Sequence, residues 1–161
     1  MASRSSKEES VDLHKRSILE LSDIRHEAFT AFVPCYPKSE MLVLRFHGKY
    51  AIGSSGHGDG EYMRVATLSE IGAWHPSGVL FDLRHLVYEW GDNLFDIYNR
   101  GSRGSGIGDL PHVTVVSEYS KSGFRTSIEN GFPVFEDFEL GLSHLAKSVA
   151  TYLSEPSADD T

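Results

Sequence analysis

Apolar residues recur along this chain at two spacings, and together they predict strands and helices in alternation. Residues 79–83 (VLFDL) form a nearly continuous apolar run, which is typical of a central strand covered on both faces. Residues 26–35 and 41–46 are rich in strand-forming side chains, and the segment 36–39 between them has turn chemistry. We therefore expect a hairpin ahead of the central strand.

Helical spacing marks the end of the chain, at Phe138, Leu142, Leu145, Val149 and Leu153. The same spacing predicts a helix over residues 61–74, stopped by Pro76, whose apolar face is Met63, Val65, Leu68, Ile71 and Trp74. Residues 92–100 predict a further helix, and residues 113–116 and 133–135 predict short strands. The pattern leaves residues 11–24 open between a short helix and a strand, and residues 119–131 unassigned.

This alternation predicts a single α/β domain over residues 11–153, with a mixed β-sheet and about four helices. Residues 1–10 and 154–161 are small, polar and charged, and we expect them to be disordered tails.

The composition and net charge of the chain restrict the kinds of partner that we expect it to bind. The 161 residues carry a formal net charge of −8, which argues against a nucleic-acid or anionic-membrane surface and would suit a basic protein. Cys35 is the only cysteine, so no intrachain disulfide is possible. The N-terminus lacks the apolar run of a secretory signal, and no stretch approaches the ~18 apolar residues that span a bilayer. We therefore expect a cytoplasmic protein.

Two glycine-dense segments share one glycine spacing. Residues 53–60 (GSSGHGDG) follow a strand and precede a helix, where backbone N–H groups can cradle an anion. However, Asp59 and Glu61 would repel a phosphate there, which favours a structural cap over a ligand loop. Both interpretations stay open. The candidate ligand positions are Gly53, Gly56, His57, Gly58, Asp59 and Gly60. Residues 101–108 lie between a predicted helix and a predicted strand, and we interpret them as a connecting loop.

Catalytic constellations are missing from the sequence. His57, Asp59 and Glu61 stand at alternate positions, but no HExxH, CxxC or paired-histidine spacing supports a metal. No Gly-x-Ser-x-Gly elbow is present, and a lone Cys35 is typical of an inert thiol. We predict no catalytic residue, no metal and no cofactor, and we favour a non-enzymatic role.

The segment after the central strand carries the candidate binding residues. In open α/β sheets, ligands and partners meet the carboxyl ends of the strands. Tyr88 and Trp90 are aromatic residues of the type enriched at binding hot spots, and Gly91 and Asp92 would open the following helix. We predict partner contacts at these four residues. The alternative is that the two rings belong to the core.

Residues 40–153 resemble the STAS family, the domain of anti-sigma-factor antagonists and anion-transporter tails. The matching segments are residues 41–48, 78–83, 91–100 and 133–136, followed by Leu142 and Leu145. The resemblance implies a regulatory module that binds another protein. In signalling members of the family a phosphorylated serine opens the helix after the central strand. Here the matching place reads Trp90-Gly91-Asp92-Asn93, and no serine or threonine lies between Gly78 and Gly101.

Two other hypotheses stay open. Residues 88–94 are similar in spacing to the aromatic-x-x-Gly-x-Asp-Leu segment of crotonase enzymes, although Asn93 replaces the aspartate and the chain is much shorter. That resemblance implies an acyl-CoA enzyme or binder with an oxyanion hole near Gly91. Alternatively, four acids and no lysine or arginine between Thr126 and Ala146 would suit an immunity protein that covers a basic toxin. A homodimer through a sheet edge or an aromatic patch is a further expectation.

Overall fold

The computed structural model describes residues 13–91, 94–98 and 107–155. They form a mixed five-stranded sheet in the order β1-β2-β3-β4-β5. The strands are β1 Arg25–Val33, β2 Tyr36–Lys49, β3 Gly78–Val87, β4 His112–Val115 and β5 Val134–Phe135. Strand β1 is antiparallel to β2, and each later strand is parallel to its neighbour. The predicted α/β class with a mixed sheet is confirmed.

The predicted hairpin is present, but its turn lies two residues earlier than expected. Strand β2 begins at Tyr36, which pairs with Val33 across a loop of Pro34 and Cys35. Pro34 holds a negative φ by its ring, and Cys35 adopts a φ of +69°. This combination suits a type II turn, and it leaves residues 36–39 in the strand.

Three α-helices are found among the described residues, α1 His57–Trp74, α2 Arg125–Glu129 and α3 Phe138–Ser154. Short 3-10 helices at Ile18–Glu20 and Lys121–Phe124 occupy the two segments that the pattern left open. The helix expected over residues 92–100 is a 3-10 helix, Leu94–Tyr98, where it is described. Helix α3 extends one residue beyond the predicted domain end. None of the helices in the described ranges is long and apolar enough to cross a membrane.

The sheet separates two apolar layers. Val79, Phe81 and Leu83 of β3 pack in the layer that holds α1, and Leu80 packs in the layer that holds α3. The central strand is therefore covered on both faces, as its apolar run predicts.

Helix α1 differs from the expected helix in its start and in its buried face. It begins at His57 rather than at residue 61, and its buried side chains include Tyr62, Met63 and Ala66. Trp74, placed on the apolar face by its spacing, is 54% exposed and donates a hydrogen bond to Glu70. The apolar spacing predicted the wrong buried face because small and polar residues form much of the helix face that approaches the sheet.

Candidate functional site

Loops that follow the parallel strands meet at one edge of the sheet. The backbone N–H of Tyr50, just after β2, donates to the carbonyl oxygen of Val87 at 2.9 Å. The N–H of Tyr88, just after β3, donates to the carbonyl oxygen of Tyr119 in the loop after β4 at 3.0 Å. Because these loops are joined by backbone hydrogen bonds, they form one continuous rim at the carboxyl ends of the strands.

The glycine segment and the aromatic segment come together in this rim. Gly53 and Gly91 form an isolated parallel bridge, and the N–H of Gly53 lies 3.4 Å from the carbonyl oxygen of Trp90. The indole of Trp90 covers Gly53 so closely that an added Cβ would lie 2.9 Å from Cη2 of the ring. Gly53 also has a φ of +64°, which favours glycine. Glycine at position 53 is therefore what lets the indole rest against the rim.

The two candidate aromatic rings have opposite surroundings. Tyr88 is only 2% exposed and packs edge-on against Tyr50 at 5.2 Å and against Phe124 at 5.8 Å. Trp90 is 59% exposed. The core alternative therefore holds for Tyr88, which supports the rim from beneath, whereas Trp90 presents its ring to solvent. Asp92, the fourth predicted contact residue, lies outside the described residues.

Exposed apolar side chains are carried by all three loops of the rim. We call this set the carboxyl-edge surface, and its members are Ile52, Trp90, Phe95 and Tyr119, each between 43% and 61% exposed. Exposed apolar patches mark interaction sites, and these four side chains extend from neighbouring segments that backbone hydrogen bonds hold together. Such a surface can bind a protein by apolar contact.

The remaining glycine positions are explained by packing at the start of α1. Gly56 precedes the helix, and a Cβ there would lie 2.3 Å from the ring of Tyr50. Gly58 lies against the backbone of Leu21, whose carbonyl oxygen would be 2.4 Å from an added Cβ. His57 is exposed and Gly60 is buried. Close packing against Tyr50 and Leu21 accounts for Gly56 and Gly58 without a ligand.

Asp59 brings a buried negative charge to the first turn of α1. Its carboxylate is buried and accepts hydrogen bonds from the backbone N–H of Ala51 at 2.8 Å and from the hydroxyl of Ser22 at 2.5 Å. A negative group at the first turn of α1 already complements the positive end of the helix dipole. This geometry favours the structural-cap interpretation of residues 53–60.

No protein-family model matches the chain, and no curated protein matches it. Among solved structures, it is similar to the crystal structure of an anti-sigma factor antagonist from Mycobacterium paratuberculosis, with a TM-score of 0.51 and 12% identity. The alignment covers 76% of this chain and 94% of that chain. The chain has a STAS-like fold. The fold expected from residues 40–153 is thereby confirmed.

The STAS-like domain also contains a charged cluster that the sequence pattern did not reveal. Asp82 of β3 is fully buried, and both of its oxygens accept hydrogen bonds from Arg84, at 2.8 and 2.9 Å. Arg45 of β2 donates to the same carboxylate at 2.9 Å. Burial raises the pKa of Asp82, but the hydrogen bonds from Arg84 and Arg45 outweigh it and lower the pKa below its ordinary value. The i, i+2 spacing of Asp82 and Arg84 hints at a shared face, but Arg45 needs the register of β2 on β3.

Three of the four acids between Thr126 and Ala146 interact with groups of the same chain. Glu136 forms an ion pair with Lys121, and Asp137 caps α3. Arg84 interacts electrostatically with Asp137 and Glu139. Much of this negative charge is therefore balanced within the chain, which weakens the argument for a free acidic face.

A cavity of about 240 Å³ lies between the 3-10 helix Leu94–Tyr98, β4 and α2. Its lining is largely aromatic, and the hydroxyls of Tyr98 and Thr114 within it are 2.7 Å apart, so they satisfy each other. Burial raises the pKa of the Tyr98 phenol. No carboxylate lines the cavity among the described residues, and in the same ranges no three His, Cys, Asp or Glu side chains are grouped to hold a metal ion.

Proposed function

We propose that this STAS-like domain is a non-catalytic regulatory module that binds another protein through the carboxyl-edge surface. Two observations support the proposal. The fold is shared with a protein described as an anti-sigma factor antagonist, and an exposed apolar surface crosses the rim where α/β sheets meet their partners.

The observation that carries the proposal is the placement of Trp90. Its indole is exposed, yet it is held against Gly53 by a rim whose loops are joined by backbone hydrogen bonds. A large ring that is already ordered loses little conformational entropy on binding, and tryptophan is the residue most enriched at hot spots. We propose that Gly91 and Asp92, the next two residues in the sequence, also contact the partner, with Tyr88 as the support of Trp90.

The proposed module binds without the phosphorylation switch of its signalling counterparts. No serine or threonine lies between Gly78 and Gly101, so no hydroxyl of these two residue types can receive a phosphate after the central strand. We therefore propose that serine or threonine phosphorylation after the central strand does not control formation of the complex. A basic partner suits the net charge of −8, and electrostatic attraction would then speed the encounter.

The two tryptophans of the chain allow a matched test. Trp90 and Trp74 are 59% and 54% exposed, but Trp74 ends α1 and lies about 27 Å from the start of that helix at the rim. Tagged wild type, Trp90→Ala and Trp74→Ala are each used to capture proteins from a lysate of the source organism. The species that wild type retains is identified by mass spectrometry, purified, and titrated against all three proteins by calorimetry at two salt concentrations.

We expect Trp90→Ala to weaken binding by about 30-fold or more, the size of a hot-spot residue, and Trp74→Ala to bind as wild type does. Weaker binding at high salt would support the basic partner. Equal affinity for Trp90→Ala and wild type would remove the carboxyl-edge surface from the interface. Retention of a small molecule and no protein would overturn the binding-module proposal.

A further inference from the structure

The two edges of the sheet differ greatly in length. At one edge, β5 is two residues long, so it offers little backbone to another chain. At the other edge, β1 spans nine residues from Arg25 to Val33 and pairs only with β2 among the described strands. A long edge strand presents a row of N–H and C=O groups that can pair with another strand.

Strand β1 lacks most of the devices that protect an edge. It contains no lysine and no proline, and its only register irregularity lies at its end, between Phe32 and Val33. It also exposes two large apolar rings on opposite faces, Phe29 at 43% and Phe32 at 66%. An edge that is long, nearly regular and carries an exposed aromatic ring on each face is suited to strand addition.

We propose that β1 pairs antiparallel with β1 of a second copy of this chain, about a two-fold axis at Phe29. The two sheets then form one continuous ten-stranded sheet across the dimer. An isologous contact of this kind closes on itself, so it yields a dimer and no longer assembly.

The sequence of β1 is self-complementary in this register. Phe29 faces Phe29 of the second copy across the axis, on the sheet face where its ring already lies 4.9 Å from the guanidinium of Arg45. On the opposite face, Phe32 meets His26 of the second copy, whose side chain is 19% exposed. Both exposed phenylalanines of the strand thus gain aromatic partners, which are favourable cross-strand pairs.

Charge is also compatible with this register. Arg25 and Glu27 are the two charged residues of β1 apart from the histidine. In the dimer they lie opposite Val33 and Ala31 of the second copy, so no like charges face each other. The paired strands therefore add no like-charge contact to the general repulsion between two chains that each carry a net charge of −8.

The expected affinity is modest because one strand from each copy makes the contact. We expect such an interface to bury less than the ~1,200 Å² of a stable complex and to have a dissociation constant in the roughly micromolar range. The oligomeric state is therefore measured as a function of concentration.

The test is sedimentation equilibrium from about 1 to about 500 μM, a range that brackets micromolar association. The proteins are wild type, Phe29→Lys, and the control Phe132→Lys, which replaces a phenylalanine that is 57% exposed, against 43% for Phe29, beside the short β5 edge. We expect wild type and Phe132→Lys to dimerise alike. Phe29→Lys places two ammonium groups across the axis, and we expect it to raise the dissociation constant at least tenfold.

Hydrogen exchange of the wild type gives a readout that needs no variant. Amide protection in residues 25–33 should rise with concentration, while β4 amides stay unchanged. A monomer at every concentration, or a dimer in which Phe29→Lys associates as wild type does, overturns the proposal. Trp90→Ala should dimerise normally, so failure of this inference is distinguishable from failure of the carboxyl-edge surface.

Discussion

Replacing Asp82 by asparagine isolates the energetic role of the arginine-bound carboxylate. The substitution keeps the shape of the side chain and removes its charge. Arg84 donates to both carboxylate oxygens, so one of these bonds would become a contact between two donors in the variant. Arg45 and Arg84, with side chains 28% and 30% exposed, would lose the buried anion that they share. Arg45 would keep Glu27 at 3.9 Å, and Arg84 would keep its electrostatic interactions with Asp137 and Glu139.

The magnitude follows from the burial of each partner. Removing one member of a buried ion pair costs about 3–5 kcal/mol, because the remaining charge is left uncompensated. Here the arginines reach solvent in part, so we expect the lower end, about 3 kcal/mol. For a chain of this size that corresponds to a fall in the melting temperature of about 6–12 °C.

The assay is urea unfolding followed by circular dichroism, with Asp23→Asn as the control at an exposed carboxylate. The folded-state pKa of Asp82 is lowered, so its carboxylate stabilises the fold fully above the unfolded value of 3.8. That stabilisation is lost as the pH falls below 3.8 and through the folded pKa. The difference between wild type and Asp82→Asn should therefore be constant near neutral pH and shrink in acid. Equal stability at neutral pH, or a difference that survives in acid unchanged, would refute this reasoning.

Two further substitutions test the local geometry. Asp137→Ala removes the carboxylate that accepts a hydrogen bond from the N–H of Leu140 at 2.8 Å. We expect the free energy of unfolding, measured in urea, to fall by about 1 kcal/mol, and Asp137→Ser to restore most of that stability. An unchanged stability of Asp137→Ala would mean that this cap does not stabilise α3. Gly53→Ala combines a strained φ with a Cβ 2.9 Å from the indole of Trp90, and we expect a loss of about 1–3 kcal/mol. In a Trp74→Phe background, where Trp90 is the only tryptophan, the emission of Gly53→Ala should shift to the red; an unshifted spectrum would show that the indole does not rest on Gly53.

Local patterns in the sequence were enough to predict the order of the main strands and helices. The apolar run of residues 79–83 predicted a strand buried on both faces, because such a strand cannot alternate. The apolar residues that recur at helical spacing from Phe138 to Leu153 predicted α3, because a surface helix buries only one stripe of its side chains against the sheet. Where segments are short or rich in small residues, as at the start of α1, the pattern missed the boundary.

Which of two neighbouring aromatic residues is buried was decided by the tertiary structure alone. Tyr88 and Trp90 have the same parity along the chain, but Tyr50 and Phe124 from other loops enclose only Tyr88. The ion cluster of Arg45, Asp82 and Arg84 likewise depends on the register of β2 against β3. Local sequence thus determined which segments form strands and helices, because backbone and burial preferences act over a few residues. The binding rim, the ion cluster and the open edge of β1 arise from pairing between distant segments, which only the folded chain specifies.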